Sequence, residues 1–292
     1  MHNHNHSREK NIKVAIFLNV TFTIIEVIGG LWTNSLAILS DALHDFGDSV
    51  ALIASWILER KSQKHADSKR TFGYQRLSLF SALFAALVLV GGSIFILTQT
   101  IPRLITPEHV NAPGMIALAV MGIVFNGIGF YRLKKGGSMN EKVLSWHLLE
   151  DVLGWSVILI GAVIIQFWDY HLIDPLLTIG FILFTLWGVV RNIKETINIF
   201  LQGVPSHINS VEVKQALLAI PGVLGVHDMH IWSLEGETDI FTGHIVVDPE
   251  LLKDINDTKK RIKELLKKYH IEHSTIELEN KELCSGSECE IN

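Results

Sequence analysis

Ser40-Asp41-Ala42-Leu43-His44-Asp45-Phe46-Gly47-Asp48 and Trp146-His147-Leu148-Leu149-Glu150-Asp151 each set a histidine and an aspartate four residues apart inside a long apolar stretch. The first lies in residues 35–58 and the second in 143–168, each long enough to cross about 30 Å of hydrocarbon as a helix. His44 with Asp48, and His147 with Asp151, are i,i+4 pairs, so each pair shares one helix face. An aspartate near the centre of a membrane helix costs about 2.5 to 3.5 kcal/mol on insertion scales, so these groups face protein or a watery cavity, not lipid. Counting about 1.5 Å per residue along antiparallel spans puts the two pairs at similar depth. Two imidazoles and two carboxylates converging there form a tetrahedral N2O2 set suited to Zn2+, and with less preference to Co2+ or Cd2+. Protonation of either ligand type disables such a set, so metal and protons compete for it.

Outward from this pair, residues 12–32, 77–101, 113–131 and 172–190 are apolar stretches of similar length, giving six expected spans. The first is not a cleavable signal peptide, because it carries Glu26 and is followed at once by the second span. Basic residues gather before span one (Arg8, Lys10, Lys13), between spans two and three (Arg60, Lys61, Lys64, Lys69, Arg70, Arg76), between four and five (Arg132, Lys134, Lys135, Lys142) and after six (Arg191, Lys194). The alternate loops contain only Arg103. Both termini are therefore expected in the cytoplasm, with Trp32, Trp168 and Tyr170 as aromatic anchors at the opposite interface.

Composition agrees with a membrane protein. Of 292 residues, 48 % are hydrophobic and 19 % charged, and the mean hydropathy is +0.32, which argues against a soluble enzyme. Residues 1–197 carry a net charge of +2 and residues 198–292 a net −7. That split predicts a membrane domain followed by an acidic soluble one, and it argues against nucleic acid as a partner. The expected division is a histidine-containing tail (1–11), a six-helix transport domain (12–197), a cytoplasmic domain (198–283) and a cysteine-containing tail (284–292).

In the soluble part, residues 211–220 read as a helix closed by Pro221-Gly222, and 223–234 and 238–247 as strands around a Gly236 turn. Residues 249–269 read as one Lys/Glu-rich helix, and 274–278 as a last strand. This α-β-β-α-β order predicts a small two-layer α+β domain. It is rich in metal-ligand types: His227, His230, His244, His270, His273, Glu277, Glu279, then Cys284-x4-Cys289. The cysteine spacing alone is a weak signal, and both thiols are expected reduced in the cytoplasm. His65 and Asp67, in Lys64-His65-Ala66-Asp67, suggest a loop site but are two ligands in a solvated basic loop. His109, His171 and His207 read as ordinary loop residues. Asp41, Asp45, Glu150 and the Asn19/Glu26 pair read as interhelical hydrogen-bonding groups or part of a water path.

Taken together these residues resemble the cation diffusion facilitators, in particular the zinc-transporting members. The resemblance rests on Ser40-Asp41-Ala42-x-His44 with Asp48, Thr71-Phe72-Gly73-Tyr74-x-Arg76, His147-x-x-x-Asp151, and Val226-His227-Asp228-x-His230-Ile231-Trp232-Ser233-Leu234. It implies a homodimer in the lipid bilayer that exports divalent metal, mainly Zn2+, by alternating access with H+ as counter-ion and K+ as an additional candidate. By that likeness His44, Asp48, His147 and Asp151 form the transport site. By the same likeness His227, His230, His244, His273 and Glu279 contribute to cytoplasmic zinc sites that stabilise the dimer, and a cysteine pair such as Cys284 and Cys289 can close a further site with N-terminal ligands, here His2, His4 and His6, a segment that reads equally as a flexible metal-sequestering tail. The soluble domain is then ferredoxin- or metallochaperone-like, and a bacterial cell membrane suits the chain best.

Other classes predict different residues. A b-type cytochrome with His44 and His147 as haem ligands has no need of an aspartate four residues after each. An intramembrane metalloprotease needs a His-Glu-x-x-His pair that this sequence lacks. A metal sensor, or a zinc-binding protein without transport, rests on the ligand-rich tail and predicts binding without flux.

Overall fold

The computed structural model describes residues 2–62, 66–134 and 139–281. They form two compact units, residues 1–58 with 81–192 and residues 59–80 with 193–292. Cys284, Cys289 and His65, expected above as ligands, lie outside the described residues, as do the side chains of His2, His4 and His6.

Six long helices run in order: α1 (His2–Thr33), α2 (Leu36–Ser62), α3 (Leu77–Ile105), α4 (Ala112–Leu133), α5 (Met139–Trp168) and α6 (Ile173–Phe200). Several outrun their apolar stretches. Helix α1 starts within the polar tail and α6 continues through Arg191, Lys194 and Glu195, because Arg, Lys and Glu are good helix formers and the backbone does not stop where hydropathy does. Among the described residues, four helical segments are long and apolar enough to cross a membrane: Leu77–Ile105, Ala112–Arg132, Ser145–Trp168 and Ile173–Phe200.

Close approach of α4 to α5 builds the core of this unit. Trp155 is fully buried among Phe22, Ile38, Met115, Ala119, Ile158 and Ala162, with the Phe22 ring edge-on at 6.1 Å. Gly122 permits the contact, since a Cβ there would lie 2.5 Å from the Trp155 ring. The outward surface is apolar as well, with Leu31, Leu87, Phe95, Ile160 and Phe167 each more than half exposed.

One end of the bundle is bound together by its three turns. Asp174, at the start of α6, accepts from Ser35 Oγ (2.5 Å), Leu36 N–H (2.9 Å) and Ala37 N–H (3.3 Å), satisfying orphan donors at the N-terminus of α2. Asn111 caps α4 by accepting from Gly114 N–H and donates its own N–H to Thr33 O at 2.8 Å. Arg103 donates to the backbone and side-chain oxygens of Asn34 at 2.8 and 2.7 Å and pairs with Glu108 at 2.8 Å.

The second unit contains a three-stranded sheet in the order β1 (Val223–Ser233), β2 (Asp239–Val247), β3 (Ile271–Glu279), with β1 and β2 antiparallel and β2 and β3 parallel. Helices α7 (Ser210–Leu218) and α9 (Ile255–Lys268) supply Val213, Leu217, Ile262 and Leu266 to a core shared with Val226, Ile231, Phe241 and Ile245. The expected helix over 249–269 is broken. A single turn, α8 (Pro249–Leu252), precedes α9, because Asp254 starts a new helix by accepting from Asp257 N–H. The last strand begins at Ile271 rather than at 274.

Before α3 the same unit includes an ordered turn. Asp67 Oδ1 accepts from the N–H groups of Lys69 and Arg70, each at 2.8 Å, and its Oδ2 accepts from Tyr74 Oη at 2.7 Å. Asp67 thus organises its own loop. The Tyr74 hydroxyl, aided by the two backbone donors, holds its carboxyl below the usual range. The contribution of this network is therefore complete above the ordinary carboxylate pKa of about 3.9 and is lost as pH falls through the lowered value. Tyr74→Phe is expected to raise the Asp67 pKa toward its ordinary value, measured by carboxyl-carbon NMR titration; an unmoved pKa would mean the hydroxyl bond is not made.

Candidate metal sites

The first site lies in the helical unit, where α2 and α5 present their i,i+4 pairs to each other. Asp48 Oδ2 is 3.9 Å from His44 Nε2 on its own helix and 3.4 Å from His147 Nε2 across the interface. Asp151 Oδ2 lies 3.9 Å from His147 Nε2, and the two imidazole centroids are 6.4 Å apart. Asp48 thus stands beside both imidazoles, and Asp151 beside His147. Both nitrogens of His44 are shut off from solvent and hydrogen-bond to nothing among the described residues, an arrangement that suits a group waiting for a ligand rather than a structural histidine.

Two cavities adjoin this cluster. One, about 390 Å³, is lined by Asp41, His44, Asp151, Gly154, Leu177 and Phe181. The other, about 350 Å³, is lined by His44, Asp48, Ala82, Ala86, Gly188 and Asn192. His44 and Glu150 border both. Among the remaining polar groups, Asn19 is an interhelical link, donating to Asp45 O at 3.2 Å and Ser49 Oγ at 3.0 Å. Asp45 and Glu26 are themselves buried.

A second cluster sits on the sheet. His227 and His244 face each other across the β1–β2 register, and Glu279 follows on β3. Glu279 bridges the two rings, with Oε2 3.0 Å from His227 Nε2 and Oε1 2.6 Å from His244 Nδ1. One donor atom from each lies within 4.8 Å of the others, a set that fits Zn2+. An irregularity between His227 and His230, with Asp228 at φ +47°, turns Asp228 toward His244 at 3.6 Å and His230 at 3.0 Å. Glu277 also approaches His244 at 3.6 Å. His273 is placed elsewhere: it pairs with Ile240 in the sheet, and its ring meets Phe72 edge-on at 5.8 Å.

His109 and His171, expected as ordinary loop residues, do lie in turns, and the structure brings them together. Their ring centroids are 4.2 Å apart, and with Asp169 they offer one donor atom each within 4.8 Å of one another. Sixty-one residues of intervening chain hide that meeting from any spacing pattern. His207, by contrast, is committed to Asp239 at 2.7 Å.

Apolar helices enclosing paired ionisable groups, and a separate α/β unit bearing imidazole and carboxylate, define a multi-pass integral membrane protein with a metal-binding character. Residues 12–201 match the cation efflux transmembrane domain and residues 205–281 the cation efflux protein cytoplasmic domain. The chain belongs to the cation efflux family. It is 36 % identical over 285 residues to the metal cation efflux system protein CzcD of Cupriavidus metallidurans, spanning 95 % of this chain and 89 % of that one. It is 35 % identical over 297 residues to the zinc transporter ZitB of Pectobacterium atrosepticum, covering 99 % and 91 %. Identity to the cadmium, cobalt and zinc/H(+)-K(+) antiporter of Bacillus subtilis is 32 % over 286 residues, covering 95 % and 91 %.

Proposed function

We propose that the chain exports divalent metal, mainly Zn2+, from the cytoplasm in exchange for protons, with His44, Asp48, His147 and Asp151 as the transport site. The observation that carries this reading is the approach of Asp48 on α2 to His147 on α5 at 3.4 Å, which draws two separately encoded pairs into one donor set. In this reading α1 to α6 all cross the membrane, with both termini and the sheet-bearing unit in the cytoplasm, and Cd2+ and Co2+ are poorer substrates. The names of the zinc and the cadmium, cobalt and zinc relatives support the substrate class.

Mechanism follows from the donors. Neutral imidazole and ionised carboxylate load metal when the site faces the less acidic cytoplasm, and protons displace it when the site faces the other side. The cavities bordering His44 are the space beside such a site that alternating access would open to one side or the other. One proton entering per Zn2+ leaving moves a net charge outward, costing about 2.3 kcal/mol per 100 mV of inside-negative potential, whereas two make the exchange electroneutral. A K+ counter-ion, as in the name of the Bacillus subtilis relative, fits the same bookkeeping. In the cytoplasmic unit, His227, His244 and Glu279 are suited to hold a resident Zn2+ that links all three strands and supports a homodimer.

The His227–His244–Glu279 cluster also favours a second reading, a metal sensor without flux. Zinc uptake into sealed proteoliposomes under an imposed pH gradient separates the two. Gradient-dependent uptake by the native chain, abolished in a folded Asp151→Ala variant, is the expected result. Zinc binding without uptake by the native chain would favour the sensor, and uptake that survives Asp151→Ala would remove the transport site from where we place it.

A further inference from the structure

At the end of the bundle where its three turns meet, well away from the α2–α5 donor set along the helices, His109, Asp169 and His171 offer one ligand atom each within 4.8 Å of one another. His109 belongs to the α3–α4 turn, and Asp169 and His171 to the α5–α6 turn. We infer that these three residues form a separate divalent-metal site of the Zn2+ type, with three protein ligands and its remaining position open to water. The site does not depend on the transport reading; only its assignment to the exit face of the membrane does.

Geometry and chemistry both favour an ion here. A tetrahedral zinc with bonds of about 2.0 Å needs ligand atoms about 3.3 Å apart, so the group must close by about 1.5 Å at most. His109 is exposed and free to supply that movement by a change of side-chain torsion. His171 is already oriented. Its Nδ1 accepts from Val110 N–H at 3.4 Å, and its Nε2 stands 2.9 Å from Asp169 Oδ1. An imidazole nitrogen and a carboxylate oxygen thus face each other with one hydrogen between them, at the place an ion would take. Freeing Nε2 for a metal moves the ring hydrogen to Nδ1, which breaks the long Val110 bond and exchanges the Nε2–H bond to Asp169 for coordination of both groups to the ion. Glu108, next to His109 in the chain, is engaged by Arg103 at 2.8 Å, and Asp169 is the carboxylate of the group. Two nitrogens and one oxygen with a vacant position make an exchangeable site rather than a closed structural one, and an ion bound there joins the α3–α4 turn to the α5–α6 turn.

Zinc binding by the full-length protein in lipid nanodiscs, measured by equilibrium dialysis with Zn2+ alone, tests this without reference to transport. His109→Gln, Asp169→Asn and His171→Gln are each expected to bind one zinc fewer per chain than the parent over the free-zinc range in which the parent fills. Glu108→Gln, outside the ligand set, is expected to bind the parental number. His109→Gln keeps the test independent of folding, because that imidazole is exposed; retention of the parental zinc number by His109→Gln would overturn the site.

Discussion

Asp48→Asn is expected to raise the zinc concentration that half-saturates transport by about 100-fold or more, and by about tenfold more than Asp151→Asn does. Loss of a group that merely orients a ligand already costs about 10- to 100-fold in metal affinity, and the transport site proposed above counts Asp48 among the ligands themselves. Its Oδ2 faces both imidazoles, at 3.9 Å from His44 and 3.4 Å from His147, whereas Asp151 Oδ2 stands at 3.9 Å from His147 on its own helix. Asparagine preserves volume but replaces a charge-bearing acceptor with a neutral amide whose donor end opposes a cation. Initial rates of zinc uptake in proteoliposomes, taken across a zinc titration for the three proteins, check the ranking. Equal losses in the two variants would deny Asp48 its central place.

The second large effect concerns stability. Trp155→Ala is expected to destabilise the helical unit by about 3 to 5 kcal/mol, the usual cost of emptying a large aromatic site in a core. Gly122→Ala is expected to cost about 1 to 3 kcal/mol through overpacking, since its new methyl would lie 2.5 Å from the indole. The two should not add. With the ring gone, the methyl has space, so the double variant should be less destabilised than the separate losses imply, by about 1 kcal/mol or more. Unfolding of the four proteins in one detergent measures this coupling; strict additivity would mean that Gly122 and Trp155 do not meet.

How far the sequence disclosed this molecule depended on whether the signal was local. Charges inside apolar stretches at a spacing of four could be read directly, and α2 and α5 carry their pairs to one another as the matched depth predicts. The strand signals on either side of the Gly236 turn likewise revealed β1 and β2. The break at Asp254 could not be read from amphipathic periodicity, because a capping residue interrupts the backbone without interrupting the apolar face. The irregularity after His227, which turns Asp228 toward two histidines, has no compositional mark. His109 and His171 illustrate the other limit: their contact is made by the packing of two turns, and neither turn alone contains a pattern.

Asp174 fastens the first turn of α2 with three hydrogen bonds, and this gives the helix a fulcrum. Displacement about a fulcrum grows with lever arm. At about 1.5 Å per residue His44 lies about 12 Å from Leu36 along the axis and Asp48 about 18 Å. A swing of about 10° would carry His44 by about 2 Å and Asp48 by about 3 Å, comparable to a whole metal–ligand bond. A modest angular change anchored at Asp174 is thus sufficient to take the donor set from closed to dismantled, with no need to unwind either helix that carries it.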